Sequence, residues 1–379
     1  MRSARLAAPI GFKAVRHPAP GVATAQRPFG ASRNDANRSI IDGEGNFRPG
    51  LYPEQISQGL RNDDLALLSD PVSHAREGNS RKSSWSGRLF EGVDPYPCAM
   101  PPNEGQIAFW ATSAGARWVA AQESLDAMLG PLGQVMLDRA GPQSGERAID
   151  VGCGCGDTSL ELARRVGPGG EVLGVDVSAP MLAKATARAT ESGIANLAFD
   201  CMDAQTAALP PAYNLVVSRF GVMFFDDPVA AFANLRSALA PGGRITFACW
   251  QEFDRNRWMA LPLEIAERHC GPAERAAPGE PGPFAFADPD VVRGVLTAAG
   301  FSLIAVAADE TPLVLGADID AAVQMAQLTG PSSALLGSAP EDVRERAIAD
   351  IRSTLAEHLT DDGVCLAGAA WIVSARCGK

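Results

Sequence analysis

The 379-residue chain has no run of about 18 apolar residues, so no segment reads as a membrane-spanning helix. It has no CxxC pair and no Cys/His run with zinc-finger spacing, and no metal site is expected. Histidine is scarce, with only His17, His74, His269 and His358 present. Candidates for proton transfer near neutral pH are therefore few. Basic charge is also in deficit, at a formal net −11. Residues 1–99 carry 13 Lys+Arg against 10 Asp+Glu, which leaves 20 against 34 for the remainder. An acidic globular part disfavours a nucleic-acid partner, because phosphates need a basic face.

What is present is enough apolar sequence, 46%, to bury a substantial core. Eight cysteines are spread through apolar stretches and one glycine loop, where thiols behave as small hydrophobes. Unpaired spacing of this kind points to a reducing, cytoplasmic setting. The first 38 residues hold six Arg and one Lys against the single acid Asp35, a composition like an organelle presequence. Residues 39–99 are rich in Gly, Ser, Asn and Pro without sustained periodicity. Residues 1–99 are accordingly expected to be a disordered extension, or upstream sequence read from too early a start codon, with targeting by 1–38 as the minor alternative. The folded domain is expected to span 100–379, with its core motifs in 146–250.

Residues 107–137 carry the three- and four-residue apolar spacing of helices. From residue 147 short apolar runs alternate with helical segments. Strands are predicted at 147–151, 171–175, 197–202, 213–218, 244–250, 301–307 and 369–375. Helices are predicted at 158–166, 180–192, 228–239 and 289–299, with a turn at Pro241-Gly242-Gly243. Such alternation predicts an α/β domain with a mostly parallel, doubly wound sheet and ligands at the carboxyl ends of the strands. Residues 251–288, helical over 258–269, and the helices expected within 318–359 stand outside the alternation, as additions near the site.

The densest motif is Asp150-Val-Gly152-Cys153-Gly154-Cys-Gly156-Asp157, between the first strand and its helix. Glycines let backbone approach a ligand, and the helix that follows offers free N–H groups. The spacing is not GxGxxG. The third glycine would fall at Asp157 or Ser159, and an acid there opposes a pyrophosphate. Two further acids follow in order. Asp176, with Val177 beside it, ends the second strand, where a carboxylate can take both hydroxyls of a ribose. Asp203-Ala204 follows the third strand, where a carboxylate can take an adenine amino group. Met181 is placed to pack on the base.

These motifs resemble the class I S-adenosylmethionine (SAM)-dependent methyltransferases. The signature parts are Ala148 to Gly156, Val172-Leu-Gly-Val-Asp176, Asp203-Ala204, Tyr213 to Ser218 and Leu239-Ala-Pro-Gly-Gly-Arg244. The stretch from Tyr213 to Arg244 is most similar to the ubiquinone and menaquinone C-methyltransferases and related small-molecule enzymes. The resemblance implies a seven-stranded Rossmann-like sheet with an antiparallel last strand, and SAM as cofactor. It assigns the methionine part of SAM to the glycine loop, the ribose to Asp176 and the adenine to Asp203. It has Asp150 orienting the loop or reaching the amino group through water, and places Ser218 beside the methyl-donor site.

The expected reaction is methyl transfer to O, C or N of a small molecule, with no nucleic-acid partner. Phe220, Met223, Phe224, Phe225, Trp110, Trp118, Trp250 and Trp258 are the residues from which an apolar acceptor pocket would be built. A hydrophobic or aromatic acceptor then follows. His269 and His358 are the only catalytic candidates outside residues 1–99. Tyr213 reads as core, and Asp226 and Asp227 as caps of the following helix. A SAM-binding regulatory protein without turnover and a protein methyltransferase are the alternatives. A nicotinamide-dependent oxidoreductase is disfavoured by the glycine spacing.

Overall fold

The structure, a computed structural model, describes residues 103–275 and 279–378. The expectations for residues 1–99, and for a domain start at residue 100, lie outside the described residues. Three helices come first: α1 (Glu104–Ala111), α2 (Ser113–Ala120) and α3 (Gln122–Ala140). The helical stretch expected over 107–137 is thus interrupted at Thr112, where φ −113° and ψ −128° leave the helical region, and again at Ala121.

The alternation follows as β1 (Arg147–Val151), α4 (Asp157–Val166), β2 (Glu171–Asp176), α5 (Ala179–Glu191), β3 (Leu197–Cys201), β4 (Tyr213–Arg219), α6 (Pro228–Ala238) and β5 (Leu239–Trp250). Next come α7 (Arg257–Cys270), α8 (Pro289–Ala298) and β6 (Phe301–Asp309). The chain then runs through β7 (Pro312–Gly316), α9 (Ile319–Leu328), α10 (Gly330–Ser338), α11 (Glu341–Ala356), β8 (Leu359–Thr360) and β9 (Gly363–Ala367) to β10 (Ala370–Cys377).

Seven strands form the main sheet in the order β3-β2-β1-β4-β5-β10-β6. All pairings are parallel except the two made by β10, which is antiparallel to β5 and β6. This is the sheet the sequence predicts. β1 shows why its strands are readable. Ala148, Ile149 and Val151 are buried between neighbours, and a parallel strand covered on both faces takes a near-continuous apolar run. Asp150, 1% exposed, is the exception.

The crossovers through α4 and α5 step from β1 toward β3, whereas α6 steps from β4 away from them. Right-handed connections then put the two sets of helices on opposite faces. Accordingly α3 packs on α4, and α6 packs on α8. The step reverses between β1 and β4, and this switch point is where a doubly wound sheet is expected to offer its ligand crevice.

Two differences from the sequence-based reading have local causes. Pairing of β5 begins at Leu239, before the expected turn, and its register against β4 shifts between Tyr213 and Leu215. Pro241-Gly242-Gly243 is a bulge within the ladder, with Gly242 at φ 79°. The second difference is a separate antiparallel sheet, β7-β9-β8, which the sequence reading does not anticipate. It lies within the segment 310–369, alongside the helices α9 to α11 that the reading does expect. Tyr213 is core as expected, 4% exposed, with the Arg147 guanidinium over its ring. No helix among the described residues is long and apolar enough to cross a membrane.

Candidate functional site

The glycine loop leaves β1 at the crevice. Gly152 and Cys153 both donate backbone N–H to the Val175 carbonyl, at 2.9 and 3.1 Å, which turns the loop over the end of β2. Gly152 has φ 65°, and a Cβ there would stand 2.7 Å from the Gly221 Cα. Loop and β4 exit therefore touch backbone to backbone. Gly156, at φ 85°, faces Ala185 of α5, where a Cβ would fall 2.9 Å from the Ala185 Cβ. Gly154 differs, since a Cβ there would meet only the Met181 sulfur and the Trp118 indole nitrogen, each at 3.9 Å. Both side chains thus flank the middle of the loop.

Three carboxylates end three successive strands, as the sequence reading expects. Asp176 is 8% exposed and accepts from Gly154 N through one oxygen and Ser178 N through the other, both at 2.8 Å. Burial pushes its carboxyl up, while the Gly154, Ser178 and Val177 N–H groups oppose the rise. Asp203 accepts from Gln205 N and the Asn103 amide through Oδ1, at 3.0 and 2.9 Å, and from the Thr206 hydroxyl through Oδ2. Ala204 beside it is buried, its carbonyl accepting from the Asn234 amide at 2.9 Å.

Asp150 accepts from the Ser159 hydroxyl at 2.6 Å through Oδ2, and its Oδ1 is buried without a partner among the described residues. Burial pushes its carboxyl from 3.8 up to about 7, with Ser159 and Arg219 opposing. Between those values the folded chain keeps a proton that the unfolded chain has released. Stability should therefore fall as pH rises from about 4 to about 7, and level off outside that window. Asp150→Asn should gain on the wild type across it, by about 2–4 kcal/mol. Urea midpoints of the two proteins at about pH 5 and pH 8 read this directly, and a constant difference between them would clear Asp150 of the effect.

Ser218 is fully buried, its hydroxyl donating to the Val151 carbonyl at 2.7 Å and accepting from Gly221 N at 3.2 Å. It ties the end of β4 to the end of β1 across the crevice. Phe220 follows at φ 63°, a conformation bulky residues rarely adopt. Its ring stacks on Trp250, centroids 3.9 Å apart. Cys153 is among the buried residues, with its thiol against Gly174 and its carbonyl accepting from Gly156 N at 2.9 Å. Burial and the neighbouring Asp176 and Asp150 keep that thiol protonated.

Asp157 does not stand as an open repulsive charge. It pairs with Arg219 at 2.7 Å and Arg188 at 3.7 Å, and both arginines also reach Asp126 on α3. Arg188 additionally donates to the Cys155 carbonyl at 2.6 Å. This network joins α3, α4, α5 and the end of β4 beneath the loop. Burial and Asp157 raise the Asp126 carboxyl.

The expected aromatic pocket divides in two. Phe220, Met223, Phe225, Trp250 and Trp258 are buried in the core. Trp110, Trp118 and Phe224 are only partly buried, and Trp110 meets the other two edge-on at 5.7 and 5.2 Å. Asp227 caps α6 by accepting from Ala230 N, as expected, whereas Asp226 instead accepts from Asn103 N at 2.6 Å.

The histidine candidates are not gathered to the loop. His269, at the end of α7, bonds Asp350 of α11 at 2.8 Å. His358 lines a groove with Arg257 and Leu261 of α7 and Cys365 of β9. Sequence reasoning missed Asn103, Ser159 and Ser178. Each is a lone polar residue with no periodic or spacing signal, brought to the carboxylates only by the fold.

Residues 148–243 match the family model described as a methyltransferase domain. Over 118 residues the chain is 38% identical to aklanonic acid methyltransferase DauC of Streptomyces sp. (strain C5), covering 31% of this chain and 54% of that one. Over 111 residues it is 33% identical to the ubiquinone/menaquinone biosynthesis C-methyltransferase UbiE of Cellvibrio japonicus, covering 29% and 45%. Among solved structures, phosphoethanolamine N-methyltransferase 2 of Haemonchus contortus, in complex with SAM, aligns with TM-score 0.47 at 17% identity, covering 75% of this chain and 62% of that one. The chain spans about half the length of the curated relatives it matches, 54% and 45% in the two cases given. The glycine loop, β2 and β4 thus lie in a stretch that is similar to methyltransferase domains. The similarity to DauC and UbiE is to named methyltransferases.

Proposed function

We propose that the protein transfers a methyl group from SAM to O, C or N of a small, hydrophobic or aromatic metabolite. The observation that carries this reading is the crevice itself. A non-dinucleotide glycine loop at the sheet's switch point faces three strand-end carboxylates in sequence order. The residues fit the cofactor. Gly154 leaves space beside Met181 and Trp118, and the unpartnered Asp150 Oδ1 is an acceptor suited to an ammonium group or to a water bound to it. The Asp176 carboxylate retains lone pairs for ribose hydroxyls, and Asp203 and Ala204 stand where adenine would lie. When bound, SAM supplies a methyl group on a cationic sulfur that is already a good leaving group.

The protein's own task is then to position and to dry the site. Gly152 and Ser218 hold the two strand ends at a fixed separation. Trp118 stands beside the loop at Gly154, and Trp110 and Phe224 extend the aromatic cluster from it. An aromatic acceptor matches them, and the name of the aklanonic acid enzyme supports a small-molecule acceptor. No side chain is assigned as base, since His269 and His358 both lie in other contacts. Seven free cysteines among the described residues suit a reducing compartment, and we place the reaction in the cytoplasm.

The test is to incubate the full chain with methyl-labelled SAM and a small-metabolite extract. Label is expected in a small product that partitions into organic solvent. Label appearing only in protein would favour a protein methyltransferase. SAM binding with no transfer to small or macromolecular acceptors would favour a regulatory SAM-binding protein.

A further inference from the structure

Asn103 is the residue of this site that no motif announces. It lies just before α1, at φ 66°, a left-handed conformation that asparagine tolerates better than most residues. Its side chain does not cap the helix that follows. The residue is only 4% exposed and is pinned from several sides. Its backbone N–H donates to Asp226 at 2.6 Å, in the loop beyond β4. Its carbonyl accepts from Ile107 N at 3.0 Å. Its side-chain Nδ2 donates to Asp203 Oδ1 at 2.9 Å. The remaining polar atom, Oδ1, is buried and has no partner among the described residues.

A buried acceptor without a donor is costly and rare, and it marks a place where a donor belongs. This one lies on the same amide that holds Asp203. On the reading of Asp203 as the adenine residue, which this inference rests on, the adenine 6-amino group arrives at that carboxylate with two hydrogens. One carboxylate oxygen takes one of them.

We propose that Asn103 Oδ1 takes the other, making Asn103 a second recognition residue for the adenine amino group, delivered by the segment that leads into α1. Asp203 and Asn103 then present two acceptors to one amino group, and the Asn103 Nδ2 bond keeps the pair in register. The arrangement selects a 6-amino purine over a 6-oxo purine, because an oxygen at that position would face both acceptors. It also couples cofactor binding to the seating of α1 and Trp110, since Asn103 is anchored at the entrance to that helix.

The test compares binding of S-adenosylhomocysteine and its 6-oxo analogue, S-inosylhomocysteine, by titration calorimetry on the full chain. Wild type is compared with Asn103→Ala and Asn103→Gly. The glycine variant accepts the left-handed backbone, so it separates loss of the amide from backbone strain. Thermal melts confirm that each variant is folded. The expected result is about tenfold weaker adenosyl binding in both variants, with inosyl binding little changed, so that wild-type preference for the amino form shrinks.

An equal loss for both analogues would make Asn103 only an anchor for the start of α1, and would overturn the proposal. Tighter adenosyl binding in the variants would overturn it too, by showing that the amide competes with adenine for Asp203. Asp203→Ala serves as a control. Failure of the wild type to bind either analogue would remove the cofactor reading itself. Binding that weakens in Asp203→Ala but not in the Asn103 variants would remove only this inference.

Discussion

Asp176→Ala is expected to weaken SAM binding at least about a hundredfold and to abolish labelled transfer. The carboxylate has two jobs at once. It accepts from Gly154 and Ser178, both at 2.8 Å, and so fastens the middle of the glycine loop to the turn that opens α5. It is also the group proposed to receive the ribose hydroxyls. Hydrogen bonds to a charged group contribute about 1.5–3 kcal/mol each, and alanine removes several at a stroke. Asp176→Asn keeps the volume but turns a donor toward one of the two backbone N–H groups, so it should fail almost as badly. Calorimetric titration with SAM, with a thermal melt alongside, separates lost affinity from lost fold. A change of less than about threefold in affinity would take Asp176 out of the cofactor site.

Gly152→Ala should damage the fold as well as the site. The new methyl must sit 2.7 Å from the Gly221 Cα, and neither backbone can retreat without parting β1 from β4. The φ of 65° adds about 1–2 kcal/mol of left-handed strain for any L side chain. Overpacking adds about 1–3 kcal/mol more. Together they predict a fall in melting temperature of roughly 5–15 °C for a domain of this size. Gly154→Ala is the contrast. Its Cβ would meet only side-chain atoms at 3.9 Å, so it should cost less stability for a similar φ. Its larger effect should be on SAM affinity. Similar melting temperatures for the two variants would refute the close approach at Gly152.

The legible parts of this protein share a physical cause. β1, β2 and β4 are buried parallel strands and show themselves as short apolar runs closed by glycine or acid. The glycine loop and the three acids could be ordered from sequence because each sits at a strand end, where chain position and spatial position coincide. β7 and β9 were missed because a five-residue apolar run such as Pro312–Gly316 has no distinguishing period. Its partner, Gly363–Ala367, lies some fifty positions away. Asn103, Ser159 and Arg188 were missed for a related reason. A single polar side chain becomes informative only once the fold shows which carboxylate or carbonyl it meets. Asp157 was readable as an acid at the start of α4, but not as one already answered by Arg219 and Arg188.

The segment between β6 and β10 has a topological property of its own. The chain leaves the main sheet after Asp309 of β6 and returns at Ala370 of β10, and those two residues are directly paired across the ladder. Everything between them, the small sheet and α9 to α11, enters and leaves through one pair of adjacent strand ends and packs back on α3 and α7. Its buried side chains, Leu313, Ala347 and Ile351 among them, belong to the same core as the main sheet. Its closure is already secured by the β6–β10 pairing, and loop-closure entropy grows only slowly with length. A graft of different length between residues 310 and 369 would therefore cost little in closure entropy, but it would have to cover the faces of α3 and α7 that β7, α10 and α11 now cover.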